Sequence, residues 1–179
     1  MKIKSQIMDE TMLRRSVMRI AHEITETNKG TEDLVLIGIR RRGKVLAEMI
    51  RDGIEKIEGV RVPCADLDIS FYRDDLTRRS DQPVLKKTVL PFSVEGKRIV
   101  IADDVLYTGR TVRAAIEAIF DCGRPDCIML AILIDRGHRE LPIRPDFVGK
   151  NVPTSRSETI RVLLPPFDEG TGVLLCDRD

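Results

Sequence analysis

Three short apolar runs, at residues 34–39, 98–102 and 127–134, are each too short for a buried helix and too uniformly apolar for a half-exposed strand. They read as strands buried on both faces, the signature of a parallel sheet. Helical patterns lie between them. Asp9 can cap a first helix running to about Asn28, with Leu13, Val17, Ile20 and Ile24 on one stripe and Gly30 beyond its end. Val45, Leu46, Met49, Ile50, Ile54 and Ile57 mark a second apolar stripe, and residues 113–120 a third helix. Strand–helix–strand alternation with right-handed crossovers gives an α/β fold, a mostly parallel central sheet with helices on both faces. Residues 65–72 alternate apolar and polar and are expected as a half-exposed strand, and residues 165–179 as an edge strand without separate function. Repeats, low-complexity tracts and linkers are absent, so residues 1–179 read as one domain.

The run at 99–102 ends in two carboxylates, Asp103 and Asp104, then Val105, Leu106, Tyr107, Thr108, Gly109, Arg110 and Thr111, where a helical pattern opens. A hydroxyl- and glycine-rich turn between strand and helix aims backbone N–H groups and a positive dipole end at an anion. Carboxylates suit sugar hydroxyls and repel phosphate. The order therefore predicts a phosphorylated sugar, with phosphate at Thr108–Thr111 and hydroxyls at Asp103 and Asp104. An acid pair alone would more often be a solvated strand end or part of a metal site; the thirteen-residue order is what argues otherwise. Neither the nucleoside-triphosphate loop G-x-x-x-x-G-K-[ST] nor the dinucleotide fingerprint G-x-G-x-x-G occurs.

A second loop, residues 38–44, has the same strand-to-helix setting and places Arg40, Arg41, Arg42 and Lys44 within five positions. Such a cluster fits a multiply charged anion, for which pyrophosphate is suitable, although in isolation a solvated basic turn would be the commoner explanation. Along the first helix, Arg15, Arg19, His22 and Glu26 fall on one line opposite the apolar stripe, and residues 136–161 add Arg136, Arg139, Arg144, Lys150, Arg156 and Arg161. Charge alone favours a solvated face there over nucleic acid. A net charge of +1 gives no bulk attraction for nucleic acid or membrane. Cys64, Cys122, Cys127 and Cys176 lack metal-ligand spacing and are expected as free thiols of a cytoplasmic chain. No apolar run of about 18 residues suggests a membrane span or secretion signal.

The thirteen-residue segment resembles the phosphoribosyl pyrophosphate (PRPP) motif of the type I phosphoribosyltransferases. Further stretches at 71–76, 135–144 and 149–155 are similar to the pyrimidine operon regulators of the PyrR family, and the likeness extends from Arg14 to about Arg161. It implies the type I phosphoribosyltransferase fold and uracil phosphoribosyltransferase activity giving UMP. It also implies Mg²⁺ held mainly through PRPP, UMP or UTP as nucleotide ligands, pyrimidine operon leader mRNA as partner, and a homodimer or larger homo-oligomer. It assigns Asp103, Asp104, Arg42 and Arg73 to catalysis, Arg41 and the 105–111 loop to PRPP, and Arg136 and the backbone near Val148 to uracil. A loop at 72–87 would close over the substrates and a hood at about 136–160 would cover the base, with His138 a hydrogen-bonded turn residue. Arg41 replaces a threonine usual in the family. Met18 and Thr27 stand where it carries threonine and arginine, which lightens the presumed RNA face. The alternatives are a phosphoribosyltransferase without RNA binding and one that accepts purines.

Overall fold

The computed structural model describes residues 2–70, 72 and 89–178. Strand β1 (Ile3–Met8) precedes helix α1 (Glu10–Asn28). Strand β2 (Leu34–Ile39), helix α2 (Arg42–Glu58) and strand β3 (Cys64–Leu67) follow. Then come β4 (Arg98–Leu106), α3 (Arg110–Phe120), β5 (Cys127–Asp135), β6 (Phe147–Asn151), β7 (Glu158–Leu163) and β8 (Gly172–Asp177). Asp9 caps α1 as its position predicts: its carboxylate accepts from the Met12 N–H at 2.7 Å.

Five strands form a sheet in the order β3-β2-β4-β5-β6, and every neighbouring pair is parallel. The apolar stripes of α1 and α2 cover one face, where Leu13, Ile20, Leu46 and Ile50 meet Leu36, Val100 and Ala131. Helix α3 covers the other, where Val112, Ala115 and Ile119 meet Ile37, Ile99 and Ile101. All are buried, which explains why β2, β4 and β5 read as unbroken apolar runs. The chain leaves β2 toward β3 on one side and later builds β5 on the other, so strand order reverses between β2 and β4. Loops leaving the C-terminal ends of those two strands diverge around a crevice, the usual ligand position in such sheets.

One close approach shapes that crevice. A Cβ on Gly43 would lie 2.5 Å from the Ala102 carbonyl oxygen, and one on Gly38 would lie 2.3 Å from the Gly43 carbonyl oxygen. Two glycines thus let the first turn of α2 rest on the middle of β4 beside Asp103.

The remaining strands make a separate antiparallel sheet, β1-β8-β7. The edge strand expected over 165–179 is instead β8, the central strand of this sheet, because β1 supplies a partner on its other side. Within the stretch 136–160, expected as a hood, Phe147–Asn151 form β6 of the five-stranded sheet, and the separate layer is the β1-β8-β7 sheet. The strand expected over 65–72 stops at Leu67. Asp68 accepts from the Ser70 N–H at 3.0 Å and the Ser70 hydroxyl at 2.6 Å, a local turn that competes with further pairing.

Candidate functional site

Strand β4 runs past its apolar core through both acids, so Asp103 and Asp104 are held by sheet pairing and not by a loose loop. Asp103 is 7% exposed, and its Oδ1 accepts from the Asp104 N–H at 3.0 Å. Asp104 Oδ1 in turn accepts from the Val105 N–H at 3.0 Å. Burial pushes the Asp104 carboxyl above the usual aspartate range, opposed in part by hydrogen bonding with Asp103 and by the charge of Arg42. Two carboxyl groups so placed are strong acceptors for hydroxyls at the mouth of the crevice.

The crevice has a volume of about 380 Å³ and is lined by Arg40, Arg41 and Arg42 from one loop and Asp103, Asp104, Val105 and Thr111 from the other, with Asp68 and Ser70 closing a side. It adjoins a hollow of about 230 Å³ formed by Asp103 and residues 105–112. The structure therefore brings together Asp103, Asp104, Arg41, Arg42 and the whole 105–111 loop. In that loop the Thr108 hydroxyl accepts from the Arg110 N–H at 3.4 Å, and α3 begins at Arg110.

The loop is stapled from outside. Glu140 and Leu141 donate their N–H groups to the Thr108 carbonyl at 3.0 and 3.1 Å. Arg139 donates Nη1 to the Tyr107 carbonyl at 2.8 Å, Nε to the Ile143 carbonyl at 2.8 Å and Nη2 to Asp135 at 2.5 Å. Arg110 pairs with Glu140 at 2.7 Å. With the Tyr107 and Thr108 carbonyls engaged from outside, the turn lines the hollow.

Pairing also governs the basic loop. Arg40 is held by Asp66 and by Asp68, the latter at 3.3 Å. Arg42 donates Nε and Nη2 to the two carboxylate oxygens of Asp168 at 2.9 and 2.8 Å. Sequence patterning gave no hint of Asp168, which lies 126 positions away and joins Arg42 only through the small sheet.

Arg136 and Val148 are not brought to the crevice. Arg136 is buried and donates Nε to the Thr154 hydroxyl at 3.0 Å and Nη2 to the Glu158 carbonyl at 2.6 Å. Its guanidinium lies 4.2 Å from the centre of the Tyr107 ring, and Arg178 lies 5.6 Å from the same centre. Desolvation pulls the Arg136 pKa down. It is a strut behind Tyr107 with most of its donors spent. The Val148 and Gly149 carbonyls accept from Arg19 at 3.2 and 2.6 Å, so that backbone is occupied by α1. Arg73 lies outside the described residues.

The basic face thins for the same reason. Arg136 and Arg139 are committed inside the molecule, and Arg19, though exposed, is tied to Glu23 and to the Val148 and Gly149 carbonyls, while Arg15, His22, Arg144, Lys150, Arg156 and Arg161 are exposed. His138 is a turn residue at φ 60° with Nε2 2.6 Å from the Thr154 carbonyl. Cys64, Cys127 and Cys176 are free thiols, and the Cys122 thiol donates to the Ala118 carbonyl at 3.3 Å. Among the described residues no helix is long and apolar enough to cross a membrane.

Comparison with known proteins places this geometry. Residues 4–162 match the phosphoribosyl transferase domain family. A protein of Caldicellulosiruptor bescii named bifunctional protein PyrR is 58% identical over 174 residues, 97% of this chain and 96% of that protein. One of the same name from Thermoanaerobacter sp. strain X514 is 56% identical over 99% of this chain and all of its own length. Among solved structures, the hypoxanthine phosphoribosyltransferase of Trypanosoma cruzi superposes with a TM-score of 0.75 at 18% identity, covering 99% of this chain and 98% of its own. A hypoxanthine-guanine phosphoribosyltransferase of Bacillus anthracis superposes with a TM-score of 0.71 at 18% identity, over 97% of both chains. The two structures share the fold, the two sequences share the family, and the chain belongs to the phosphoribosyl transferases of the bifunctional PyrR group.

Proposed function

We propose that this protein transfers the ribosyl 5-phosphate group of PRPP to N1 of uracil, giving UMP and pyrophosphate, and also binds pyrimidine operon leader mRNA as an attenuation regulator responsive to UMP or UTP. The observation that carries the catalytic half is the acid pair near the end of β4, Asp103 buried and Asp104 half-buried, flanked on one side by the 105–111 turn and on the other by the arginine loop. Breaking the bond from C1 to pyrophosphate leaves positive charge on the ribose ring and negative charge on the departing group. Asp103 and Asp104 accept hydrogen bonds from the 2- and 3-hydroxyls, and their negative charge favours the oxocarbenium-like ring. The 105–111 turn orients the 5-phosphate through amides and hydroxyls at the start of α3. Arg41 and Arg42 meet the pyrophosphate, and Arg73, which lies outside the described residues, is assigned to the same leaving group on family resemblance.

Magnesium fits this site as an ion carried by substrate. Among the described residues no group of three or more His, Cys, Asp or Glu could hold a metal, so Asp103 and Asp104 would supply only part of a hard-cation shell, the rest coming from PRPP oxygens and water. Bound there by Asp103 or Asp104 together with PRPP, it would neutralise charge on the leaving group.

Uracil selection is assigned to the segment around Tyr107, with Arg136 acting through its stack on that ring. Initial rates with PRPP and uracil, hypoxanthine or guanine test the base: turnover of a purine but not uracil refutes the assignment. Asp103→Asn with unchanged turnover refutes the role of the acid pair.

Support for RNA binding comes from the PyrR relatives and the exposed cations on α1 and residues 144–161. A gel-shift titration with the chain's own operon leader, at stated salt and with or without UMP, tests it. UMP should tighten RNA binding, and by linkage RNA should tighten UMP. An absent or salt-insensitive shift leaves an enzyme without regulatory role. A homodimer or larger ring in the cytoplasm is the proposed working form, on family resemblance.

A further inference from the structure

Asp168 sits in the turn between β7 and β8, and its side chain is 4% exposed. A carboxylate this deep requires partners, and it has several. The Leu164 N–H donates to Oδ2 at 3.1 Å, which closes the turn on itself. Arg42 supplies the bidentate fork at 2.9 and 2.8 Å, and Arg161 approaches to 3.8 Å. The turn is further fixed by the Asp168 N–H donating to the Leu164 carbonyl at 3.2 Å.

Arg42 is the first residue of α2 and lines the crevice with its side chain about a third exposed. Its Nε and one face of its fork are spent on Asp168. Nη1 has no hydrogen-bonded partner among the described residues. A long, flexible side chain at the start of a helix would ordinarily lose much rotamer freedom on meeting an anion; here that freedom is already gone. The pairing demands the planar fork of arginine, since an ammonium group cannot match two carboxylate oxygens side by side.

We infer that Asp168 is the positioning residue for Arg42, holding its guanidinium from the small sheet so that its outer edge is presented to the pyrophosphate of PRPP. The assignment rests on the reading of the crevice as the PRPP site. It makes the β7–β8 turn, a segment remote in sequence and outside both substrate loops, part of what sets affinity for the pyrophosphate end of the substrate. Asp168 does not touch substrate; it acts through Arg42 alone.

A double-mutant cycle on the full chain tests this, with the KM for PRPP and for uracil measured alongside calorimetric binding of inorganic pyrophosphate in the presence of Mg²⁺. Asp168→Asn should weaken pyrophosphate binding and raise the KM for PRPP about five- to tenfold, leaving the KM for uracil within about twofold. In an Arg42→Ala background the same substitution should change pyrophosphate binding by less than about twofold, because the side chain it acts through is gone. Arg42→Lys, which keeps the charge and the Asp168 carboxylate but cannot make the fork, should reproduce the loss seen with Asp168→Asn even if that variant folds poorly. Equal weakening by Asp168→Asn in both backgrounds overturns the inference, as does tighter pyrophosphate binding by Asp168→Asn, which would make Asp168 a competitor of the ligand. A wild-type chain that binds neither pyrophosphate nor PRPP overturns the reading of the crevice itself, a result distinct from either of those.

Discussion

The tight seat of α2 on β4 gives a prediction in which stability and activity part company. Gly43→Ala places a methyl group 2.5 Å from the Ala102 carbonyl oxygen, 3.2 Å from Asp103 Oδ1 and 3.3 Å from Asp103 Cα. The first obstacle is backbone in the middle of a parallel ladder, so the helix must give way. To regain even 3.0 Å, the start of α2 must retreat by about 0.5 Å. Overpacking of this kind costs roughly 1–3 kcal/mol. Against that, alanine is favoured over glycine inside a helix by about 1 kcal/mol. The net loss is therefore roughly 0–2 kcal/mol, a fall in Tm of up to about 8 °C for a chain of this size. Activity should suffer more, because the start of α2 carries Arg42 away from Asp103: a misplacement of about 1 Å can cost on the order of a hundredfold, so half of that should cost roughly tenfold. The control is Gly59→Ala at the far end of α2, roughly 25 Å along the helix. There φ is +70° with nothing within 4 Å of the added Cβ, so the cost is backbone strain alone, about 1–2 kcal/mol. Thermal melts and kcat/KM for PRPP on both variants decide the matter. If Gly43→Ala keeps kcat/KM within threefold of wild type, or Gly59→Ala loses as much, the close approach is not what places the site.

Other substitutions probe the remaining features. Asp104→Asn should abolish turnover yet leave the chain as stable as wild type or more so at neutral pH. The native carboxyl titrates above the ordinary value of 3.8, so wild-type stability is full below that value and falls as pH rises through the native pKa; calorimetry from pH 3 to 8 should show the advantage of the Asn variant vanish toward the acid end. Burial pushes the Cys64 thiol up to about 11, so mass-resolved alkylation at pH 8 should label Cys64 more slowly than the equally half-buried Cys127, and faster labelling of Cys64 in the folded chain would contradict its placement. On the RNA side, Arg144→Gln should reduce the salt slope of leader binding by about one. Arg19→Gln should instead lower Tm with the slope unchanged, since Arg19 is tied to the Val148 and Gly149 carbonyls; equal slopes for the two variants would refute the division of cations drawn from their hydrogen bonding.

Much of the fold is readable because its signals are local. The apolar runs of β2, β4 and β5, the stripe of α1 and the capping carboxylate of Asp9 each express themselves within a few residues. The acid pair and the two substrate loops are legible for the same reason: a strand end, a turn and a helix start are contiguous in the chain. What escapes is set by partners distant in sequence. Strand β1 is largely exposed, and nothing in its own composition reveals that Ile3 pairs with Cys176. That missing partner is also why β8 read as an edge. Arg136 carries a charge that suggests ligand, yet its neighbours Thr154, Glu158 and Tyr107 consume it, a fate visible only when β7 is in place.

The pairing of β1 with β8 has a further consequence for how the molecule is made. During synthesis the parallel sheet, the acid pair and both loops emerge while β8 is still to come. Neither half of the small sheet can close before residues 172–177 arrive, since β8 is the strand that β1 and β7 share. The turn bearing Asp168 is anchored by that closure. A growing chain halted at residue 160 thus owns nearly every group that lines the crevice but not the clasp on Arg42. The strand at 172–177 acts as the lock on a site whose other groups precede it in the chain.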